Sequence, residues 1–353
     1  MRWLSEARPL LRRLELRLAR PARGRIAVSY GHDRIPAAGD VVAGGMVKFQ
    51  RLQETFPNEP RRFNVLYLGS STLATDAERL VAAARARGAP FVLNQNGVAY
   101  PAWAGERTGV LNERLRALLV AADHVVYQSA FCRRTAGFFL GEPSGTWEIL
   151  HNPVDTRRFA PVPSAARRED GPVLLLSGDQ LQPYRLPLAL EVLARVAETY
   201  PGTRLRVAGI VAAGVERIRE LGLEDRVELT GRYAQRDAPA LYRSAHVLLH
   251  TKVNDPCPNV VLEALATGLP VVYPESGGTP ELVGGAGRGV GHEEDWDVDR
   301  PPLADALAAG VVEVVEQRDE LAALARERAV ALFDLRPWVA RHEELFQRLT
   351  AAT

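Results

Sequence analysis

Apolar runs of strand length alternate with helix-like patterns along most of the chain. Alternation of this kind is typical of α/β proteins with parallel sheets. The first series predicts strands at residues 26–30, 65–69, 91–95, 124–128 and 147–150. The second series predicts strands at residues 173–177, 205–208, 227–229, 247–251 and 271–273.

A stretch without periodicity separates the two series. Residues 151–172 are rich in Pro, Arg and Ala, and we interpret them as a linker. The chain is therefore expected to form two Rossmann-like, doubly wound domains facing a central cleft. The predicted boundaries place the domains at residues 25–160 and 161–335, flanked by an N-terminal helix at 1–24 and a C-terminal helix at 336–353.

The first 25 residues contain eight Arg and two Glu. Trp3, Leu4 and Leu11 share one face of a predicted helix, whereas Arg12, Arg13, Arg17 and Arg20 lie elsewhere. A basic amphipathic helix of this composition favours peripheral contact with an anionic membrane through residues 1–25. Docking of the helix on the protein or on a partner is the alternative.

Composition narrows the class of protein. The chain has 353 residues, 46% of them hydrophobic and 25% charged, with a net charge of +1. This balance gives no reason to expect a nucleic-acid partner. No apolar run reaches transmembrane length, and Cys132 and Cys257 fall in different halves. We therefore expect a cytoplasmic protein, associated with membrane only through its N-terminal helix.

The most informative stretch runs from His250 to Gly284. Glu263 lies inside an apolar run, where a carboxylate is costly to bury without a partner. Asp255 precedes it by eight positions, in a loop containing Pro256 and Pro258. Because the loop leads into a helix, whose first amide groups favour anions, the segment predicts a ligand site with two acidic groups.

This stretch resembles the donor-binding signature of the retaining glycosyltransferases of family 4, which have the GT-B fold. In that family two acidic residues precede an apolar helix, a Gly-x-Pro strand and a Gly-Gly-x-Pro-Glu turn. The matching residues are Asp255 and Glu263, Gly268-Leu269-Pro270 and Gly277-Gly278-Thr279-Pro280-Glu281. The resemblance also implies that the C-terminal helix crosses back onto the first domain.

The resemblance implies a set of donor-binding residues. Glu263 would accept hydrogen bonds from two ribose hydroxyls, and Asp255 would face the sugar. An Arg-paired carboxylate and a turn-forming Asp are the respective structural alternatives. The remaining donor-binding candidates are Cys257, Pro258, Asn259, Val260, Gly178, Gly231, Arg232, Tyr233 and Gly45.

A diphosphate requires positive charge near the donor site. Family members commonly carry an Arg after the first strand of the second domain, but Asp179 stands at that position here. Arg185 is expected to take the role of a nearby family Lys, and Lys252 would supply a second charge. With Asp255 they form the candidate catalytic set, while solvated surface cations are the alternative.

The acceptor is expected on the first domain. Asn94 and Asn96 lie where family members often carry a His, and they suit sugar hydroxyls but cannot serve as general bases. Tyr100 and Trp103 would form an apolar platform for a sugar ring, with core packing as the equal alternative.

We therefore expect a retaining glycosyltransferase that moves a sugar from a nucleotide diphosphate sugar to a hydroxyl acceptor. The acceptor classes left open are a polysaccharide precursor, a lipid-linked glycan or a natural product. No metal and no cofactor is expected, because no metal-ligand spacing or Asp-x-Asp motif is present. Alternatives are a non-hydrolysing sugar-nucleotide epimerase and a non-catalytic nucleotide-binding module with a degenerate transferase fold, while a glycogen-type phosphorylase is disfavoured.

Overall fold

The computed structural model describes residues 21–37, 40, 42, 44–162 and 171–351. They divide into two compact units, one comprising residues up to 151 together with 336 onwards, and the other residues 152–335. The predicted N-terminal helix at 1–24 lies outside the described residues up to position 20. No helix within the described part of the chain is both long and apolar enough to cross a membrane.

Unit 1 is built on a five-stranded parallel sheet whose strands follow each other in chain order, β1-β2-β3-β4-β5. Its strands are Val28–Ser29, Val65–Gly69, Phe91–Gln95, His124–Tyr127 and Thr146–Ile149. The first four agree with the predicted runs to within a few residues, and the last begins and ends one residue earlier. Its helices are Gly44–Leu52, Pro101–Ala104, Ala77–Ala86, Thr108–Ala121, Ala130–Phe139 and Leu335–Ala351.

Both faces of this sheet are buried, as alternation along β2 shows. Leu66 and Leu68 point into a core formed with the helices that follow the middle strands. Tyr67 points to the other face, where its ring lies 5.8 Å from that of Phe346 in the C-terminal helix. The last helix of the chain therefore completes the core of the unit that contains the first strand.

Unit 2 contains a six-stranded parallel sheet in the order β8-β7-β6-β9-β10-β11. The chain fills one half of the sheet from β6 to β8 and then returns to the other side of β6 with β9. This reversal is the topological switch point of a doubly wound fold. The strands are Val173–Ser177, Arg204–Ala208, Val227–Gly231, Val247–Leu249, Val271–Pro274 and Gly287–Val290.

Helices cover both faces of the second sheet. Leu174 and Leu176 of β6 belong to one core, and Val173 and Leu175 to the other. The alternation follows from the two-residue repeat of a strand whose faces are both buried. The helices are Arg185–Thr199, Glu216–Glu220, Ala238–Arg243, Asn259–Ala266, Thr279–Val283, Ala304–Glu316 and Arg318–Leu332.

The unit boundary differs from the predicted one. It falls after His151, whereas the prediction placed it after residue 160 and treated 151–172 as a linker. Val154 donates its amide to Phe333 O, and Leu335 N donates to Val154 O. Phe159 is buried in the core of unit 2. Val154 and Phe159 were not predicted as part of unit 2, because the Pro- and Arg-rich segment around them has no periodic apolar pattern.

Several elements were not predicted from the sequence, among them one strand and one long helix. The strand Gly287–Val290 carries two glycines and an arginine, so it lacks an apolar run. It is nevertheless paired along its length with Val271–Pro274. The helix Ala130–Phe139 was also missed, although Ser129 caps it by accepting a hydrogen bond from Cys132 N.

Candidate functional site

The switch point of unit 2 gathers most of the predicted donor site. β6 and β9 are neighbours, and the chain leaves their carboxyl ends in opposite directions. Ligands of open α/β sheets bind at such a position. Gly178 and Arg185 follow β6, whereas Lys252 and Asp255 follow β9.

Asp255 lies at the centre of the charged groups. Its Oδ2 is 3.1 Å from Lys252 Nζ and 3.8 Å from His250 Nε2. Burial opposes its ionisation, but the charge and hydrogen bond of Lys252 hold the pKa of Asp255 below its usual value. The carboxylate is therefore charged at neutral pH and available to accept hydrogen bonds.

Arg185 begins the helix after β6, but only 3% of it is exposed. Its Nη1 donates to Asp179 O at 2.9 Å, and its Nε donates to Thr251 Oγ1 at 3.4 Å. Burial lowers the pKa of Arg185, while Asp255 opposes the shift. Arg185 was predicted to present its guanidinium to the donor phosphates. In the structure the guanidinium instead faces inward and joins the loops after β6 and β9.

The backbone beside Asp255 is held from several directions. Asn254 has a φ of 53°, a left-handed conformation that few non-glycine residues adopt. Its amide donates to Ser276 Oγ at 2.8 Å, and Gly278 N donates to Asp255 O at 2.8 Å. A side chain at Gly277 would collide with the backbone of Asp255. The predicted Gly-Gly turn therefore fixes the acidic loop.

Glu263 is 9% exposed and ends a chain of hydroxyl groups. Its Oε2 accepts from Tyr242 OH at 2.8 Å. Tyr242 OH lies 3.1 Å from Ser177 Oγ, which lies 3.0 Å from Tyr233 OH. Burial, followed by the charge of Glu263, raises the pKa of Tyr233 to about 12. Both phenols are therefore protonated and can orient the carboxylate.

Two glycines keep the loop after β6 close to the helix of Glu263. Gly178 has a φ of 83°, and a Cβ there would lie 3.3 Å from Val260 Cγ1. A side chain at Gly209 would collide with Gly178. Asp179, which departs from the family pattern, accepts a hydrogen bond from Ile210 N at 2.9 Å. The departure thus stabilises the loop.

The residues at the start of the Glu263 helix have mixed environments. Cys257 is buried, and its carbonyl accepts from Asn152 Nδ2 at 3.2 Å. Pro258 caps the helix, Asn259 begins it, and Val260 packs against the unit core. The Cys257 thiol also accepts from Asn152 N at 3.5 Å, so it is a structural group and not an exposed nucleophile.

The predicted base-binding segment lies at the end of β8. Gly231 has a φ of 67° and accepts from Gly209 N at 2.8 Å. Arg232 is exposed, whereas Tyr233 is half-buried and joins the Glu263 hydroxyl chain. Of the three, Tyr233 is thus tied to the residues of the switch point.

In unit 1, Asn94 differs from its predicted role because it is buried in a hydrogen-bond network. Its Oδ1 accepts from Lys48 Nζ at 2.5 Å and from Gln128 Nε2 at 2.7 Å. Its Nδ2 donates to Tyr67 OH at 3.0 Å. His342 Nδ1 faces Trp338 O at 2.9 Å, so His342 Nε2 accepts from Tyr67 OH at 2.9 Å. Both polar atoms of the Asn94 side chain are therefore engaged in hydrogen bonds within the protein.

Asn96 occupies the accessible position beside it. Its amide side chain contacts Ser70 Oγ at 2.7 Å and Ser71 Oγ at 2.6 Å. A side chain at Gly45 would collide with Ser71 Oγ, so the helix start carrying Gly45 adjoins this hydroxyl group cluster. Ser70, Ser71, Asn96 and Gly45 form the polar surface of unit 1 that is suited to a hydroxyl-bearing ligand.

The aromatic pair is split between surface and core. Trp103 is 48% exposed, and its Nε1 donates to Val98 O at 3.2 Å. Tyr100 is half-buried, with its ring 6.1 Å from that of Trp103 in an edge-on arrangement. Trp103 presents the open aromatic surface of the pair.

Sequence reasoning missed several groups of the site. Ser177 ends a buried strand, as site residues of parallel sheets often do, so its position was a usable signal. His250 interrupts the apolar end of β9 and offered a similar signal. Tyr242 had none, because its role depends on helix packing. Within the described residues no cluster of three or more His, Cys, Asp or Glu is arranged to hold a metal ion.

Comparisons with known proteins show what the chain is similar to. Residues 171–317 match the family model described as Glycosyl transferases group 1. A D-inositol 3-phosphate glycosyltransferase from Saccharomonospora viridis is 33% identical over 199 residues, which span 50% of this chain and 44% of that protein. The gpi3 subunit of phosphatidylinositol N-acetylglucosaminyltransferase from Schizosaccharomyces pombe is 24% identical over 59% of this chain and 45% of its own length. The chain thus spans about half the length of these relatives.

Solved structures show the fold. A sucrose-phosphate synthase from Thermosynechococcus elongatus aligns with a TM-score of 0.67 at 18% identity, over 83% of this chain and 75% of its own. Anabaena HepE in complex with UDP aligns with a TM-score of 0.65 at 20% identity, over 86% and 82%. The chain is a GT-B protein.

Within that class, residues 171–317 of unit 2 are the part of the chain that matches the group 1 glycosyl transferase model. The predicted resemblance to glycosyltransferases is therefore confirmed.

Proposed function

We propose that this chain is a metal-independent, retaining glycosyltransferase that moves a sugar from a nucleotide diphosphate sugar to a hydroxyl acceptor. The donor binds unit 2 and the acceptor binds unit 1. One observation carries the proposal: the switch point brings Asp255, Lys252, Arg185 and the Glu263 hydroxyl chain to the carboxyl ends of neighbouring strands.

Glu263 is the proposed ribose ligand. A carboxylate accepts two diol hydroxyls at once, and Tyr242 holds its Oε2 at 2.8 Å. Tyr233 lies beside it through Ser177 and offers an aromatic ring to the base. Because HepE was solved with UDP and with UDP-glucose, UDP is the first nucleotide to test.

Charge stabilisation is the proposed source of catalysis. In the reaction the bond from the sugar anomeric carbon to phosphate breaks, and a bond to the acceptor oxygen forms on the same face. The acceptor proton goes to a phosphate oxygen of the leaving diphosphate. Lys252, which is partly exposed, contacts the diphosphate, and the buried charge of Arg185 adds positive potential behind it. Asp255 accepts sugar hydroxyls.

The acceptor is proposed to meet the surface of Asn96, Ser70 and Ser71, with Trp103 as an apolar neighbour. The relatives named for D-inositol 3-phosphate, phosphatidylinositol and mannosylfructose phosphate suggest a polyol or sugar acceptor that carries phosphate. Inositol 3-phosphate and phosphatidylinositol are therefore the first acceptors to try.

The deciding experiment is calorimetric titration with UDP, GDP, ADP and dTDP in EDTA. We expect one nucleotide to bind with micromolar affinity. That nucleotide's glucose and N-acetylglucosamine esters are then incubated with acceptors, and the anomeric configuration of the product is read by NMR. An inverted product would refute retention, and conversion of donor without acceptor would favour the epimerase. Binding without turnover across the acceptors would favour the non-catalytic module.

A further inference from the structure

His250 is a buried group of the switch point that the proposed reaction leaves without a role. It follows β9, and its amide donates to Val272 O at 2.9 Å. The residue is 2% exposed, and within the described residues its Nε2 is buried without a hydrogen-bond partner. A buried nitrogen without a hydrogen bond destabilises the fold, so such a group calls for a functional explanation.

The unpaired nitrogen lies next to Asp255. Nε2 is 3.8 Å from Asp255 Oδ2, about 1 Å longer than a hydrogen bond. Burial, the largest effect, lowers the pKa of His250 to about 3, so the imidazole is neutral and carries one proton. With that proton on Nε2, the ring is a neutral donor aimed at a carboxylate.

Only the side chain of Asp255 is free to close this gap. The Asp255 carbonyl accepts from Gly278 N, and the close approach of Gly277 blocks movement of the backbone. The neighbouring Asn254 is fixed by Ser276. Rotation of the Asp255 carboxylate therefore determines whether it contacts Lys252 or His250.

Once a nucleotide donor is bound, its diphosphate competes with the Asp255 carboxylate for Lys252. In the structure its Nζ is 3.1 Å from Asp255 Oδ2. A diphosphate would draw the ammonium away and would leave a buried carboxylate without its cation, which is strongly unfavourable. A neutral donor that replaces the lysine removes this penalty.

We propose that His250 is a positioning residue of the donor site, which takes over the Asp255 carboxylate from Lys252 when a nucleotide diphosphate engages Lys252. This inference rests on the proposed function. His250 holds Asp255 towards the donor sugar while Lys252 moves to the phosphates.

The test compares His250→Leu, His250→Gln and the control His246→Leu. His246 lies just before the same strand at its other end, where its Nδ1 accepts from Val173 N at 3.0 Å. Each variant is titrated with the nucleoside diphosphate that the wild type binds among UDP, GDP, ADP and dTDP. We expect about tenfold weaker binding in His250→Leu, partial rescue in His250→Gln and wild-type binding in His246→Leu.

A double-mutant cycle separates positioning from packing. In an Asp255→Asn background, His250→Leu should change the affinity by less than about twofold, because the charge to be held is gone. An equal loss in both backgrounds would overturn the inference, and so would unchanged binding in His250→Leu. Thermal unfolding of each variant verifies that it is folded.

The two proposals fail differently. If the wild type binds none of the four nucleotides, the proposed function falls and this inference falls with it. If the wild type binds one of them but its affinity is insensitive to His250, the proposed function stands and only the positioning role is refuted.

Discussion

Both sheets of this protein are parallel and buried on both faces, but their strand orders differ. In unit 2 the chain adds β7 and β8 on one side of β6 and then adds β9 to β11 on the other side. In unit 1 the described strands follow each other across the sheet in chain order. A reversal parts the loops that follow two neighbouring strands and leaves room at their carboxyl ends. Unit 2 fills this position with charged residues, whereas unit 1 fills the ends of β2 to β4 with amides and hydroxyls.

The difference between Asn94 and His250 lies in how far their side-chain polar atoms are satisfied. Asn94 of unit 1 bonds to three side chains, and His342 completes the same network. In unit 2, His250 Nε2 remains unpaired among the described residues. A polar residue at a strand end is thus a structural group when its neighbours saturate it, and a ligand-binding candidate when they do not.

The largest expected effect is on nucleotide binding by unit 2. Glu263→Ala removes both proposed ribose bonds, so we expect the dissociation constant to rise by about 100-fold, since charge-assisted bonds contribute roughly 1.5–3 kcal/mol each. Calorimetry measures the change. Glu313→Ala, which removes a surface partner of Arg288, is the control and should bind normally. Normal binding by Glu263→Ala would refute the ribose assignment.

The corresponding change in unit 1 should act on stability. Asn94→Ala removes one buried hydrogen bond from each of Lys48, Gln128 and Tyr67, and we expect a loss of about 3 kcal/mol in the free energy of unfolding. Urea denaturation followed by circular dichroism measures it. Asn96→Ala, at the accessible position, should lose less than about 0.5 kcal/mol and instead raise the acceptor KM. Similar stabilities of the two variants would contradict the distinction.

A smaller effect is expected from the hydroxyl chain. Tyr242→Phe keeps the ring but removes the bond to Glu263 Oε2. The carboxylate loses one orienting donor, so nucleotide affinity should fall by about tenfold. Tyr200→Phe provides a matched control in the same unit, because Tyr200 lies after the helix Arg185–Thr199. If the two variants bind nucleotide equally well, Tyr242 has no orienting role.

The smallest effect concerns pH. Burial lowers the pKa of His342 to about 4, well below its value in the unfolded chain. Below about pH 6.5 His342 is protonated in the unfolded state but stays neutral in the folded state. The free energy of unfolding therefore decreases as the pH falls towards 4. Urea midpoints at pH 7 and pH 5 measure the slope. His342→Gln should flatten it, and an equal slope in the variant would exclude His342 as the source.

Periodicity and motif spacing predicted most of the fold. The strands Val65–Gly69 and Phe91–Gln95 have the predicted bounds, because buried parallel strands produce continuous apolar runs. The strand Gly287–Val290 was invisible to the same method, since its stability comes from pairing with a neighbour and not from its own composition.

For the site, spacing could predict which loops matter but not which way side chains point. Asp255 and Lys252 meet as expected of residues in one loop at a switch point. The inward direction of Arg185 depends on Thr251 and Asp179 O, which belong to segments that only the folded chain brings together. The same holds for the partners that bury Asn94.

Unit 1 is built from two separate segments of the chain, and this has a consequence for biosynthesis. Unit 2 is a continuous segment, whereas unit 1 needs residues from 336 onwards to cover the face of Tyr67. During translation from the N-terminus, unit 2 can fold while unit 1 still lacks its last helix. The apolar face of β2 then stays open until the residues from 336 onwards have been made. Nascent chains stalled before residue 336 should therefore be the forms of this protein that chaperones retain longest.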